Sequence, residues 1–257
     1  MHLSQAVILF FAALAAGAIN SVAGGGSFLS FPSLLLIGIP PVNANATSTV
    51  ALWPGQPASV WAYRRKIRDI PRRTFIPLTV TGIVGGIAGA YVLLITPQTT
   101  FMNLVPWLLL AATLIFTLSG QVTRWVGERK THPHAALTSI YGIALQLVLA
   151  FYLGYFGAGA GILLLATLAL LGMDNIHAMN ALKAWLTAVS NGVAMLLFIY
   201  HRAVYWPEAI VMVVGSVLGG YFGVYFAQKT KPSHVRLIVI VIGFGMTAYF
   251  FARQIWH

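Results

Sequence analysis

Apolar residues in this chain come in long runs separated by short polar, proline- or glycine-rich stretches. The runs cover 5–23, 28–38, 44–63, 74–95 and 101–120, then, after a basic stretch, 135–155, 161–172, 177–200, 206–227 and 235–253. A helix rises about 1.5 Å per residue and a bilayer core is about 30 Å thick, so a crossing needs about 20 apolar residues. Most of the runs approach that length, but the second and seventh do not. Each of these short runs follows a glycine cluster: Gly24, Gly25 and Gly26 before the second, and Gly157, Gly159 and Gly161 at the start of the seventh. Short, glycine-interrupted segments at matching places in two halves are how broken or re-entrant transporter helices appear in sequence. The pattern predicts an all-α integral membrane protein of about ten segments, with the second and seventh broken. The first run has no basic residue before it and flows into further apolar sequence, so it is expected to be a retained transmembrane helix.

The halves overlay. A shift of 134 pairs Gly25 with Gly159, Leu34 with Leu168, Gly38 with Gly172 and Arg68 with Arg202. It also pairs Gly85, Gly86, Gly89 and Tyr91 with Gly219, Gly220, Gly223 and Tyr225. Apolar matches carry little weight here, but a recurring Gly-Gly-x-x-Gly-x-Tyr spacing implies an internal duplication. The expected organisation is a first transmembrane repeat over 1–123, a cytoplasmic basic linker over 124–134 and a second repeat over 135–257.

Charge sets the orientation. Only 7% of residues are charged, far too few for a water-facing surface of this size, and fifteen bases face four acids, Asp69, Glu128, Asp174 and Glu208. The bases cluster between apolar runs, which encodes membrane topology rather than nucleic-acid binding. With both termini outside the cell (inner) membrane, twelve of the fifteen bases fall inside, among them Arg64 to Arg73, Arg124 to Lys130, and Lys229, Lys231 and Arg236. Arg202 and Arg253 fall outside, and Lys183 lies within a run. Five segments per half is an odd number, so the second repeat is inverted relative to the first.

No cysteine is present, which excludes disulfides, thiolate metal sites and cysteine nucleophiles. No Walker loop, HExxH or GxSxG motif occurs and no cofactor signature is found, so an enzyme is not expected. The seven histidines show no metal-ligand spacing. His132 and His134 share a basic loop, and His177 beside Asp174 reads as a loop pair. The tryptophans, including Trp53 and Trp185, sit near the ends of runs and read as interfacial anchors.

Polar residues inside apolar runs are costly and tend to mark solute paths. The eighth run carries Asn180, Lys183, Thr187, Ser190 and Asn191 on one helical sector, and the third carries Asn45, Ser48, Gln56, Ser59 and Tyr63. A shift of 135 pairs Asn45 with Asn180, Ser48 with Lys183 and Gln56 with Asn191. Pro54 and Pro57 are expected to kink the third run. The two stripes read as a solute path; helix-to-helix glue is the competing account. Lys183 has no intramembrane carboxylate in reach along the sequence, so a bound anion would supply its countercharge. The competing account has it snorkel to the cytoplasmic surface. The helix starts after the glycines would add amide donors from Gly25, Gly26 and Ser27, with Ser27 capping, and from Gly159 and Gly161. Gly85, Gly86, Gly89 and their mates read as helix-packing residues.

The run from Ala18 to Ser27, with Asn20 and Gly24 to Gly26, followed by Phe31 to Leu34 and Asn43 to Ser48, resembles the sulfite exporter (TauE/SafE) family. Phe156 to Gly161, Ala181 to Lys183, Ser190, Asn191 and the Tyr205-Trp206-Pro207 entry resemble its second half. The resemblance implies a carrier of sulfite, sulfonates or related anions. In parts of that family the first half has a lysine after the Asn-Ala-Thr stretch, where this chain has Ser48 and Thr49, which implies a different charge preference here. The expected function is a secondary transporter of a small anion by alternating access, with the lipid bilayer as partner and a homodimer left open. A passive channel and an intramembrane enzyme are the alternatives.

Overall fold

The computed structural model describes residues 1–22, 25–126, 133–173, 175–227 and 232–255. The first half forms α1 (Leu3–Val22), α2 (Ser27–Leu36), α3 (Pro41–Leu52), α4 (Gly55–Ala62), α5 (Arg64–Arg68), α6 (Arg72–Ile95) and α7 (Gln98–Val126). The second half forms α8 (Pro133–Thr138), α9 (Ile140–Tyr155), α10 (Ala160–Leu170), α11 (Ile176–Tyr200), α12 (Trp206–Ala227) and α13 (Pro232–Ile255). No strand occurs among the described residues. Gly24, Glu128, Lys130, His132, Asp174, Lys229 and Lys231, all named above, lie outside them.

Four helices carry stretches long and apolar enough to cross a membrane: Leu3–Ser21, Arg72–Ile95, Ile176–Tyr200 and Trp206–Gly223. The surface agrees with a lipid solvent. Leu3, Ile140, Tyr141 and Tyr200 are 80% exposed or more, while Asn45, Ser48, Thr113, Gln146 and Ser190 are buried. Apolar groups outside and polar groups inside invert the arrangement of a water-soluble domain. The chain is therefore an all-helical, multi-pass membrane protein.

Two expected single segments are each two helices. The third run divides at Trp53 and Pro54, and the prolines explain the break. Pro57 has no N–H to give the Trp53 carbonyl, and Gln56 N takes that carbonyl instead at 2.8 Å. The sixth run divides at Ser139, whose Oγ accepts from Gly142 N at 3.1 Å and so caps α9. The basic loop after α4 holds a further short helix, α5, in which the Arg64 guanidinium lies 4.5 Å above the Trp61 ring.

The bundle is interlocked. α1 packs chiefly along α12, and α9 along α6. Glycines permit both contacts. A Cβ on Gly89 would collide with the Phe151 carbonyl oxygen, and one on Gly85 would lie 2.6 Å from Ala150 Cβ. A Cβ on Gly219 would collide with the Leu14 carbonyl oxygen, and one on Gly223 would lie 2.5 Å from Ala18 Cα. Helix axes this close rest on dispersion between backbones rather than side chains. The 134-residue shift carries α1 onto the residues of α9 and α6 onto those of α12, so the two contacts correspond in sequence.

The ends of the short helices correspond too. Ile39 N donates to Leu34 O at 3.1 Å and Gly38 N to Leu35 O at 3.1 Å; Met173 N donates to Leu168 O at 3.0 Å and Gly172 N to Ala169 O at 2.9 Å. Both are Schellman caps, which place the residue after the helix at positive φ. Gly38 (φ 92°) and Gly172 (φ 88°) meet that demand without a Cβ penalty.

Candidate functional site

The chain breaks twice in the interior, between α1 and α2 and between α9 and α10. The second break runs through Phe156 to Gly159, with Gly157 at φ 74° and Gly159 at φ 70°. The two breaks face each other: a Cβ on Gly159 would lie 3.4 Å from the Phe28 ring of α2. Around them Phe31, Phe101, Tyr155, Phe156 and Phe250 pack edge to face or tilted, with ring centroids 5.6 to 6.4 Å apart. Such contacts are worth about 0.5–1.5 kcal/mol each beyond their area and hold the broken backbone in place.

A polar cavity of about 100 Å³ lies against the breaks. A water needs about 10–15 Å³ on this measure, so a solute of a handful of heavy atoms fits. Its walls are Ser27 from α2, Thr49 and Leu52 from α3, Gln56, Ser59 and Tyr63 around α4, Gly157, Ala160 and Gly161 at the second break, and Lys183, Thr187 and Asn191 from α11. Asn20 of α1 and Leu153 of α9 complete it together with Ala184. No carboxylate is among these residues.

The geometry follows from helix periodicity. Lys183, Thr187 and Asn191 are successive i, i+4 positions, so they form one stripe of about 12 Å centred on the middle of the 25-residue α11. The α3–α4 break is docked onto this stripe. Trp53 Nε1 donates to Ala188 O at 3.0 Å, and Gly192 leaves room for the indole, since a Cβ there would lie 3.1 Å from Nε1. Gln56, three residues after Trp53, lines the same cavity as Asn191. Thr187 Oγ1 donates to Lys183 O at 2.8 Å, which uses its proton within the helix. Lys183 makes no ion pair among the described residues, where Lys66 with Asp69 at 4.0 Å is the ion pair found.

Of the residues singled out in the sequence, Lys183, Thr187, Asn191, Gln56, Ser59, Tyr63, Ser27, Gly157 and Gly161 line the cavity. Asn45, Ser48, Asn180, Gly25, Gly26 and Gly159 are not among its lining residues. Asn45 is buried and its Nδ2 donates to Tyr155 O at 3.1 Å, which satisfies a carbonyl left open where α9 ends. Ser48 is buried and its Oγ lies 2.6 Å from Ser30 Oγ, tying α3 to α2. Asn180 turns back onto its own helix, donating to Ile176 O at 3.0 Å. Gly25 and Gly26 supply carbonyls to Phe28 N and Leu29 N at the start of α2, and a Cβ on Gly26 would lie 2.5 Å from Ala16 O. Gly159 opens α10 from behind the cavity wall.

Three expectations need correction. Ser27 does not cap α2. Gly26 holds the cap position with helical angles (φ −57°, ψ −33°), so Ser27 is already inside the helix and its side chain is left for the cavity. Trp53 and Trp185 are not interfacial anchors: the first docks on α11, and Trp185 Nε1 donates to Thr79 Oγ1 at 2.8 Å. Ser190 of the expected solute stripe is helix glue, donating to Gly82 O at 3.0 Å. His177 is exposed at the start of α11, where Asn175 Oδ1 caps by accepting from His177 N and Ala178 N. Asn20 and Thr49 are polar wall residues that were not expected from the sequence to line a solute path. For Asn20 the signal was an amide at the end of an otherwise apolar run.

At the end of the bundle where α3, α7 and α12 begin, the chain is laced shut. Gln98 Oε1 accepts from Val42 N at 2.8 Å and Gln98 Nε2 donates to Asn43 Oδ1 at 3.2 Å. Asn43 Nδ2 donates to Ala203 O at 2.9 Å, and Thr47 Oγ1 accepts from Tyr205 N at 3.1 Å. The cavity wall instead extends along α4 through Ser59 to Tyr63, towards the basic α5.

A family model described as sulfite exporter TauE/SafE matches residues 9–250. A probable membrane transporter protein, YfcA of Escherichia coli K12, is 30% identical over 248 residues, covering 94% of this chain and 87% of its own. A probable membrane transporter protein of Haemophilus influenzae is 28% identical over 251 residues, covering 97% of this chain and 95% of its own. The probable membrane transporter protein ORF9 of Sinorhizobium sp is 26% identical over 243 residues, with 93% and 89% covered. No solved structure matches significantly.

Proposed function

This chain belongs to the sulfite exporter TauE/SafE family, and we propose that it is a secondary transporter that carries a small anion, sulfite or an organosulfonate, across the cell (inner) membrane by alternating access. One observation carries the reading: a cavity in the middle of the bundle is walled by a lysine and three amide side chains, with no carboxylate among its lining residues. Lys183 supplies charge, and Asn20, Gln56 and Asn191 supply N–H donors. The start of α10 at Gly161 adds the positive end of a helix. An ammonium without a protein counterion is costly in a low-dielectric bundle, and an anion in the cavity offsets that cost.

The two halves act as inverted five-segment repeats. Matching Schellman caps at Gly38 and Gly172, and matching contacts of α1 on α12 and α9 on α6, support that reading. Rocking of one repeat against the other alternates the opening. The laced end at Asn43 and Gln98 is the closed outer gate, and the side at Tyr63 and α5 is the cytoplasmic mouth. An enzyme has less support, since the cavity lining contains no carboxylate, histidine or cysteine.

Orientation is testable with single cysteines, because the native chain has none. Thr99 and Arg68 are both exposed, at the start of α7 and the end of α5. An impermeant thiol reagent applied to intact cells labels Thr99→Cys and leaves Arg68→Cys protected. The reverse pattern would invert the assigned topology.

A further inference from the structure

Beside the polar cavity lies a second one of about 910 Å³, between α1, α4 and α12. Its wall is mainly apolar, with Pro54, Ala58, Ala62, Val217 and Phe222, and it ends at Tyr221, which is 76% exposed on the bilayer face. Asn20, Leu52, Gln56 and Ser59 line both cavities, so the two spaces meet across one set of side chains. At that junction Gln56 Oε1 is buried and has no hydrogen-bond partner among the described residues.

The glycines show that the second space is not simply a by-product of helix packing. Gly219 and Gly223 are pressed against the α1 backbone, and Gly86, the sequence mate of Gly220, would place a Cβ 2.7 Å from Ser190 O. Gly220 departs from all three: a Cβ there would meet Gly17 O only at 3.9 Å. Gly55, on the opposite wall, would meet nothing within 4 Å. Neither glycine is needed for a close approach, and both keep volume open beside the anion cavity.

Resting on the anion reading above, we infer that the solute is an amphiphile: an organic anion of the alkanesulfonate class. Its head occupies the cavity at Lys183 and Asn191, and its apolar tail passes Gln56 into the space between α1, α4 and α12. An inorganic oxyanion fills only the smaller cavity. A tail gains about fourfold in affinity per methylene moved from water to apolar walls, at the full transfer value. Entry and exit of such a solute take place through the side of the bundle at Tyr221, from the acyl region of the bilayer.

The test measures binding of methane-, butane-, hexane- and octanesulfonate to purified protein, by thermal stabilisation and by competition for labelled methanesulfonate. Gly220→Leu narrows the second cavity, its Cβ lying 3.9 Å from Gly17 O, and Gly55→Leu does so from the other wall should the first variant fold poorly. The expected result is affinity that climbs with each added pair of methylenes in the native protein, by up to about fifteenfold at the full transfer value, and climbs less steeply in the variant, with methanesulfonate bound equally by both. Partitioning of long tails into lipid or detergent acts on both proteins alike, so the difference between them is the readout. Equal tail dependence in native and variant proteins overturns the inference, as does loss of a co-purified lipid from the variant with no change in sulfonate binding. In either case methanesulfonate binding leaves the small-anion reading standing. Absence of binding by sulfite and by every sulfonate overturns both.

Discussion

Lys183→Met lowers anion affinity at least tenfold, about 1.4 kcal/mol, while leaving the empty protein as stable as the native one or more so. Lys183 is half-buried at the cavity wall, two turns into α11, and makes no ion pair among the described residues. Its ammonium therefore bears a desolvation cost in the empty state that methionine, of similar length, does not. The bound anion is what repays that cost, so the two measurements move in opposite directions. Lys183→Arg also transports poorly, because a planar guanidinium with fixed donors does not fill the place of a compact ammonium between Asn191 and Gln56. If the lysine merely extended to the membrane surface, both variants would carry anion at native rates. Native flux from a well-folded Lys183→Met protein removes the residue from the site.

Gly89→Leu and Gly219→Leu are the most damaging single substitutions expected in the scaffold. Each would drive side-chain atoms into a carbonyl of the neighbouring helix, Phe151 O for Gly89 and Leu14 O for Gly219. Backbone cannot swing aside as a side chain can, so α6 must leave α9, or α12 must leave α1. Overpacking commonly costs about 1–3 kcal/mol, and a forced helix separation lies at or above the top of that range. Gly220→Leu is the control, one residue along the same helix with no close neighbour, and its melting stays near native. Thermal unfolding of the purified variants separates these cases. A Gly89→Leu protein that melts within a degree or two of native would mean that the helices are not held at this distance.

What could be read from the sequence was whatever depends on local periodicity. Apolar runs located the long helices, the Pro54–Pro57 pair located the break after α3, and the Gly-Gly-x-x-Gly stripes located the tight helix contacts except at Gly220, which has no close neighbour. Lys183, Thr187 and Asn191 could be grouped because they lie on one uninterrupted helix, where 100° per residue holds throughout. The same reasoning did not foresee that Asn45, Ser48 and Asn180 hydrogen-bond within the bundle. A polar side chain can face the interior and still be consumed by a backbone group, and the partner of Asn45 lies 110 residues away at Tyr155. Nothing in the local sequence distinguishes an amide that caps a broken helix from one that meets a solute. Trp53 misled for a related reason: an aromatic next to prolines looks like a membrane-interface anchor, while its indole N–H is spent on Ala188 O, 135 residues along the chain.

The most direct test of the central claim is anion movement through the purified protein in sealed liposomes. Labelled sulfite or methanesulfonate is offered outside, with vesicles either empty or preloaded with the unlabelled anion. A transporter that alternates about one mid-bundle site predicts uptake that saturates with concentration and rises when the vesicles are preloaded, and Lys183→Met abolishes both features. Uptake that grows linearly with concentration and ignores preloading would make the protein a passive channel. Uptake no greater than that of protein-free liposomes, for both anions and from well-folded protein, would contradict the account outright.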